Sequence, residues 1–246
     1  MNATVTRVGV VGASGRMGSA TCRAIQADQG LALVAEVGRD EPLRALVDAG
    51  AEVAVDFTTP DAVKDHIRFC LDAQVHAVVG TTGLTEADLV EVGEWAARSS
   101  ANVVVAPNFA IGAVLMMSFA AQAAPRFERA EIVERHHEAK LDAPSGTARR
   151  TASMMNEARE ERWPAEQGTE PPRSRGEDAQ GVRIHSLRLQ GSVAHQEVIF
   201  GGRGETLTIR HDSIDRSSFM PGVVLAIKKV ASLDGLTLGL ERVLGL

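Results

Sequence analysis

Gly12-Ala13-Ser14-Gly15-Arg16-Met17-Gly18 follows directly on the apolar run Val8-Gly9-Val10-Val11, and this junction decides the fold. Met17, Ala20, Ala24 and Ile25 then recur on one helical face that ends near Gly30. A buried strand therefore turns sharply into an amphipathic helix. Glycines in such a turn allow a tight bend, close approach of backbone to a phosphate, and close packing of helix on strand. The N–H groups at the helix start, which have no partner within the helix, favour an anion. The spacing is G-x-x-G-x-x-G, not the common G-x-G-x-x-G, so its weight comes from the β-α-β setting. In that setting the turn reads as a dinucleotide-binding loop, the alternative being glycines that serve only the packing of helix on strand.

Outward from the turn, Val-rich runs alternate with helically spaced segments through the first 110 residues. Strands are expected over 7–11, 31–37, 53–57, 76–79 and 103–106. Thr59 before Pro60, and Thr85 with Asp88, mark two helix starts in the gaps. Continuous apolar strands separated by helices point to an α/β, Rossmann-like, doubly wound parallel sheet. The stretch 109–124 is apolar but too short for a membrane span and reads as a buried helix.

Beyond Ile132 the pattern changes. A strand, a helix over 147–161, and strands over 182–189, 195–200 and 205–210 predict a second, α+β domain with a mixed or antiparallel sheet. Gly201-Gly202-Arg203-Gly204 reads as a hairpin turn. Residues 162–181, rich in Pro, Gly and charge, read as a long loop. A C-terminal helix over 218–246, opening near Pro221, is expected to complete the first domain. The division is thus 1–109 with 218–246, and 110–217.

With 44% hydrophobic and 24% charged residues the chain is an ordinary folded protein and not a disordered one. A net charge of -6 supplies no positive field, which argues against nucleic acid or an anionic membrane as partner. The two cysteines, Cys22 and Cys70, lack disulfide, redox or metal spacing. With no secretory signal recognisable, a cytoplasmic location is expected.

In doubly wound folds an acid ending the second strand holds the adenosine ribose. Here Gly38 stands at that position, with Glu36 upstream and Arg39 next in line. Arg39 is either a partner for a ribose 2′-phosphate or a solvated loop residue. The cofactor is therefore expected to be NADH or NADPH, with the preference open.

The segment from Glu131 to Thr147 concentrates His136, His137 and Lys140 ahead of the helix start Ser145-Gly146-Thr147. On a strand, adjacent histidines point to opposite faces and cannot readily share a metal, so no metal site is expected. The helix start can hold a carboxylate, with Lys140 and His137 adding positive charge. His136 is then placed to move a proton. Another two-domain dehydrogenase, acting on an amino acid or polyol, and a nucleotide-sensing regulator stay open on these residues.

The stretch Glu134-Arg-His-His-Glu-Ala-Lys-Leu-Asp-Ala-Pro-Ser-Gly-Thr147 resembles the signature E-x-H-H-x-x-K-x-D-A-P-S-G-T of the dihydrodipicolinate reductase family. Gly12 to Gly18, Asp56-Phe-Thr58, Gly80-Thr-Thr-Gly83 and Ala106-Pro-Asn-Phe109 support the resemblance, which spans nearly the whole chain. It implies NAD(P)H-dependent reduction of a cyclic imine dicarboxylate, with loss of water, in diaminopimelate and lysine synthesis. It also implies His136 and Lys140 as catalytic residues and His137, Gly146 and Thr147 as substrate contacts. The cofactor would lie along Gly12 to Met17, Gly80, Thr81, Thr82, Ala106, Pro107, Asn108 and Phe109. Family members are tetramers built through the second domain, and Leu207 and Ile209 opposite Val198 and Phe200 are the residues expected to allow that.

Overall fold

A computed structural model describes residues 5–164 and 173–246. Part of the expected loop 162–181 and the first residues of the chain lie outside these. The chain divides into two units, Met1–Ile111 with Phe219–Leu246, and Gly112–Ser218.

The first unit carries strands β1 (Thr6–Val11), β2 (Leu31–Val37), β3 (Val53–Asp56), β4 (His76–Val79) and β5 (Val103–Val105). Helices α1 (Arg16–Ala27), α2 (Arg44–Asp48), α3 (Pro60–Asp72) and α4 (Glu86–Ala97) connect them. A further helix, α5 (Ile111–Ala123), follows β5 and from Gly112 on belongs to the second unit; Ala113, Val114, Met116, Met117 and Ala120 are buried, whereas Phe119 is exposed. Burial explains why the strands are apolar on both faces. Val11, Val37, Ala54, Val79 and Val103 pack with Leu46, Ile67 and Val92 of α2, α3 and α4. The alternate residues Val8, Val10, Val55, Val78 and Val104 are buried on the opposite face. Helix α4 starts with the capping box expected at Thr85 and Asp88, whereas Thr59 makes no side-chain cap.

The end of the chain departs from the expected single helix over 218–246. A short 3₁₀ turn leads into α7 (Met220–Lys229), after which the chain adds strand β11 (Leu236–Leu238) and helix α8 (Glu241–Leu244). β11 pairs in parallel with β5, giving a six-stranded parallel sheet in the order β11-β5-β4-β3-β1-β2. A three-residue strand carries too little periodicity to be read locally. The chain leaves β1 toward β2 on one side and returns to β3 on the other, so the crevice between β1 and β3 is the switch point where ligands of such sheets bind.

The second unit contains β6 (Arg129–His136), α6 (Gly146–Glu157), β7 (Glu177–Ala179), β8 (Val182–Arg188), β9 (Ala194–Gly202) and β10 (Glu205–Ser213). The sheet order is β10-β9-β6-β8-β7. It is mixed, because β6 and β8 run parallel while the other pairs are antiparallel. The β9–β10 hairpin turns at Arg203 and Gly204, the latter at φ 82°. Inside the expected loop 162–181, β7 forms an edge strand. Trp163 is buried there, its indole N–H donating to Asn156 Oδ1 at 2.7 Å. Val198 and Phe200, expected at an interface, have no exposed surface and belong to this unit's own core.

Candidate active site

Two hollows adjoin at the carboxyl ends of β1, β2, β3 and β4. The first, about 350 Å³, is lined by Gly12, Ser14, Gly15, Gly38, Arg39, Glu41, Thr58 and His66 among others. The second, about 310 Å³, is lined by Gly15, Arg16, Met17, Thr58, Gly80, Thr81 and Thr82 among others. Gly15, Phe57 and Thr58 border both, so the two form a continuous elongated depression.

The glycine turn has the geometry of a cradle. Gly12 sits at φ 78°, and a Cβ there would lie 2.5 Å from the Phe57 carbonyl oxygen. A Cβ at Gly18 would lie 2.0 Å from the Gly12 carbonyl oxygen. Gly15 occupies the N-cap of α1 and offers no side chain to the first turn. The helix start is left to an external acceptor, as a pyrophosphate would be. The chain's residues therefore fit a dinucleotide.

Behind the depression lies a polar knot that residue spacing did not suggest. Asp56 is buried; its Oδ1 accepts from Thr58 Oγ1 and Thr81 Oγ1, both at 2.7 Å, and its Oδ2 pairs with His66 Nδ1 at 2.7 Å. The knot ties the ends of β3 and β4 and fixes the loops bearing Thr58 and Thr81. Just past the end of β2, where Gly38 stands in place of an acid, another carboxylate lies close by. Glu41 folds back so that its Oε2 accepts from Gly38 N at 2.5 Å, and it lines the same hollow as Arg39.

Ala13 is buried beneath the turn. Ala106, Pro107, Asn108 and Phe109 lie at the end of β5 and border neither hollow. Asn108 Oδ1 accepts from Ala110 N at 2.9 Å, and Phe109 packs edge-on against Phe57 with ring centroids 6.0 Å apart.

In the second unit, His136 ends β6 and His137 lies just past it, exposed. His136 Nδ1 pairs with Glu134 Oε2 at 2.5 Å. Glu134 is wholly buried. Burial pushes its carboxyl up, but hydrogen bonds from His136, Arg188 and Ser186 outweigh this and bring it down to about 2. It is therefore an anion that can only accept, and Nδ1 of His136 must carry a proton.

Ser145 is the N-cap of α6; its Oγ accepts from Ala148 N, while its own N–H donates to Glu134 Oε1 at 3.2 Å. Gly146 is exposed, with open space where a Cβ would stand. The Thr147 carbonyl accepts from Thr151 Oγ1 at 2.8 Å. Lys140 Nζ donates to both oxygens of Asp142. Glu134 thus links His136 to the 145–147 turn, and Arg188, which no local pattern singled out, links both to Lys140 through its carbonyl.

The family profile described as Dihydrodipicolinate reductase, N-terminus, matches residues 6–109, and that described as Dihydrodipicolinate reductase, C-terminus, matches residues 112–244. The chain belongs to the dihydrodipicolinate reductase family. Among curated relatives of the family, the 4-hydroxy-tetrahydrodipicolinate reductase of Nocardia farcinica is 54% identical over 98% of this chain and 99% of its own length. That of Mycobacterium marinum is 51% identical with the same coverage. The dipicolinate-bound dihydrodipicolinate reductase from Paenisporosarcina sp. TG-14 superimposes with a TM-score of 0.88 at 38% identity, covering 97% of this chain and 99% of that one.

Proposed function

We propose that this chain reduces 4-hydroxy-tetrahydrodipicolinate to tetrahydrodipicolinate, with release of water, in the synthesis of diaminopimelate and lysine. The observation that carries the reading is His136, held at Nδ1 by a buried anion and tied through that anion to a helix start, in a chain of this family. Residues 1–109, completed by the C-terminal segment, bind the dinucleotide, and residues 110–217 bind the substrate.

Gly12 to Met17 hold the pyrophosphate, with Gly80 to Thr82 and Ala106 to Phe109 along the rest of the cofactor. The cofactor, NADH or NADPH, supplies the hydride. The substrate is a small dicarboxylate. Backbone N–H groups at Gly146 and Thr147, with His137 and Lys140, take one carboxylate, since a helix start and two basic groups suit an anion. Loss of the ring hydroxyl and a neighbouring proton as water leaves a carbon conjugated with the C=N bond. Hydride adds to that carbon, and a proton from His136 or Lys140 balances the charge. With Nδ1 engaged by Glu134, Nε2 is the imidazole atom that exchanges this proton.

Four copies associate through the second unit. Helix α6 covers one face of its sheet, whereas the other presents Leu187, Thr208, Arg210 and Asp212 to solvent, a surface suited to a second sheet. The enzyme works in the cytoplasm; among the described residues no helix is long and apolar enough to cross a membrane.

The test follows NADH or NADPH absorbance on supply of the freshly formed condensation product of pyruvate and aspartate semialdehyde. Turnover by the wild type, with kcat reduced roughly 10²- to 10⁴-fold in His136→Ala and Lys140→Ala, is expected. Cofactor binding without turnover would refute the assignment.

A further inference from the structure

Arg188 engages every one of its guanidinium N–H groups, four of the five contacts reaching the candidate site and the fifth its own neighbour's carbonyl. Nη1 donates to Glu134 Oε2 at 3.0 Å and to the Leu187 carbonyl at 2.7 Å. Nη2 donates to Glu134 Oε1 at 3.0 Å and to the Asp142 carbonyl at 2.6 Å. Nε donates to the Lys140 carbonyl at 3.2 Å. A guanidinium has five such donors, so none remains. The parallel register of β6 and β8 makes this possible by setting Arg188 directly beside His136 and Ser186 beside Glu134.

A buried ion pair that serves only the scaffold gains little over apolar residues of the same volume. This one spends its hydrogen bonds on the chemistry-bearing segments. Glu134 accepts from the His136 ring and from the N–H of Ser145, and Arg188 grips the chain on both sides of Leu141, from Lys140 to Asp142. Loop 137–144 has no strand or helix of its own to hold it.

We propose that Glu134 and Arg188 are positioning residues for the reduction. The carboxylate dictates which nitrogen of His136 bears the fixed proton, and the guanidinium fastens the Lys140 segment to the same anchor. The inference rests on the reading of His136 and Lys140 as the proton-handling groups.

Glu134→Gln separates positioning from mere support. The carboxamide oxygen stays with the paired donors Arg188 Nη2 and Ser145 N, and its NH₂ group then faces His136 and Arg188 Nη1, of which only the imidazole can turn into an acceptor. Nδ1 must become an acceptor, and the ring proton moves to Nε2. Two-bond ¹H–¹⁵N spectra of the full-length protein, recorded where the ring is neutral, should show the Nδ1–H tautomer at His136 in the wild type and Nε2–H in Glu134→Gln. In that variant kcat should fall about 10²-fold or more, as for a general acid or base presented in the wrong tautomer. Arg188→Lys, which cannot span the same acceptors, should keep the tautomer and lose about 10-fold in kcat. Circular dichroism and the urea-unfolding transition of the full-length protein report whether both variants are folded, and dinucleotide affinity, a property of the other unit, should be unchanged in both.

An Nε2–H tautomer in the wild type overturns the inference without any variant. So does a tautomer unmoved by Glu134→Gln, or kcat within twofold of wild type in the folded variants. Full activity in His136→Ala and Lys140→Ala would instead sink the proton-handling reading while leaving the tautomer result in place.

Discussion

Lys140 donates to both carboxylate oxygens of Asp142, at 2.7 and 2.8 Å. The ammonium beside it holds the Asp142 carboxyl below the usual range. Asp142 is 61% exposed, so the pair contributes little to folding, about 0 to 1 kcal/mol. Its effect lies in where it keeps Nζ before substrate arrives. In Asp142→Ala the thermal midpoint should stay close to wild type, while kcat/KM falls on the order of 10-fold as Lys140 loses its set position. Differential scanning fluorimetry beside steady-state kinetics reads both; a matched fall in stability and activity would argue against the positioning role.

Gly18→Ala should abolish dinucleotide binding. Its Cβ would lie 2.0 Å from the Gly12 carbonyl oxygen, a backbone atom that cannot rotate aside, so the turn itself must open. Gly146→Ala meets open space in the other unit and should leave the fold intact while raising the KM for substrate. Isothermal titration with NADPH reads the first effect and steady-state kinetics at varied substrate the second, with circular dichroism as the control for folding.

Cofactor choice should turn on Arg39 and Glu41, which line the same hollow. Arg39→Ala removes a partner for a 2′-phosphate and should raise the KM for NADPH about 10-fold with little change for NADH. Glu41→Gln removes an acceptor for ribose hydroxyls and a repulsive charge toward phosphate, so it should move the ratio the other way. Equal changes for both cofactors would show that neither side chain reads the ribose.

Acid should weaken the second unit through Glu134. Its folded value, about 2, lies below the ordinary 4.5, so the native state binds this proton less readily than the unfolded chain. The resulting stabilisation is complete above about pH 4.5 and is lost as pH falls toward 2. At about 1.4 kcal/mol per unit this amounts to roughly 3 to 4 kcal/mol. Urea unfolding followed between pH 5 and 2 should show a slope that is reduced in Glu134→Gln; parallel curves for the two proteins would contradict the assignment.

Local sequence carried the first unit because its signals are local. Val8 to Val11 running into Gly12 and Gly18 encodes strand, turn and helix within one short stretch, and the steric demands at both glycines explain why. The dense segment from Glu134 to Thr147 likewise announced its chemistry, since His136, Lys140 and the Ser145 cap are neighbours in the chain. What escaped notice depended on partners far away. Arg188 reaches Glu134 only because β8 lies parallel to β6, a register set by burying Ile132 and Ile184 in one core. Thr237 and its short strand join the first sheet only because β5 offers an unpaired edge. Val198 and Phe200 face inward because α6 covers that side of the sheet, which alternation alone could not reveal. The chain's order of residues thus determined the turns, the helix starts and the identity of the reactive groups. Which carboxylate holds the imidazole, and which arginine holds that carboxylate, was decided by strand pairing, where backbone hydrogen bonds join residues that no local pattern connects.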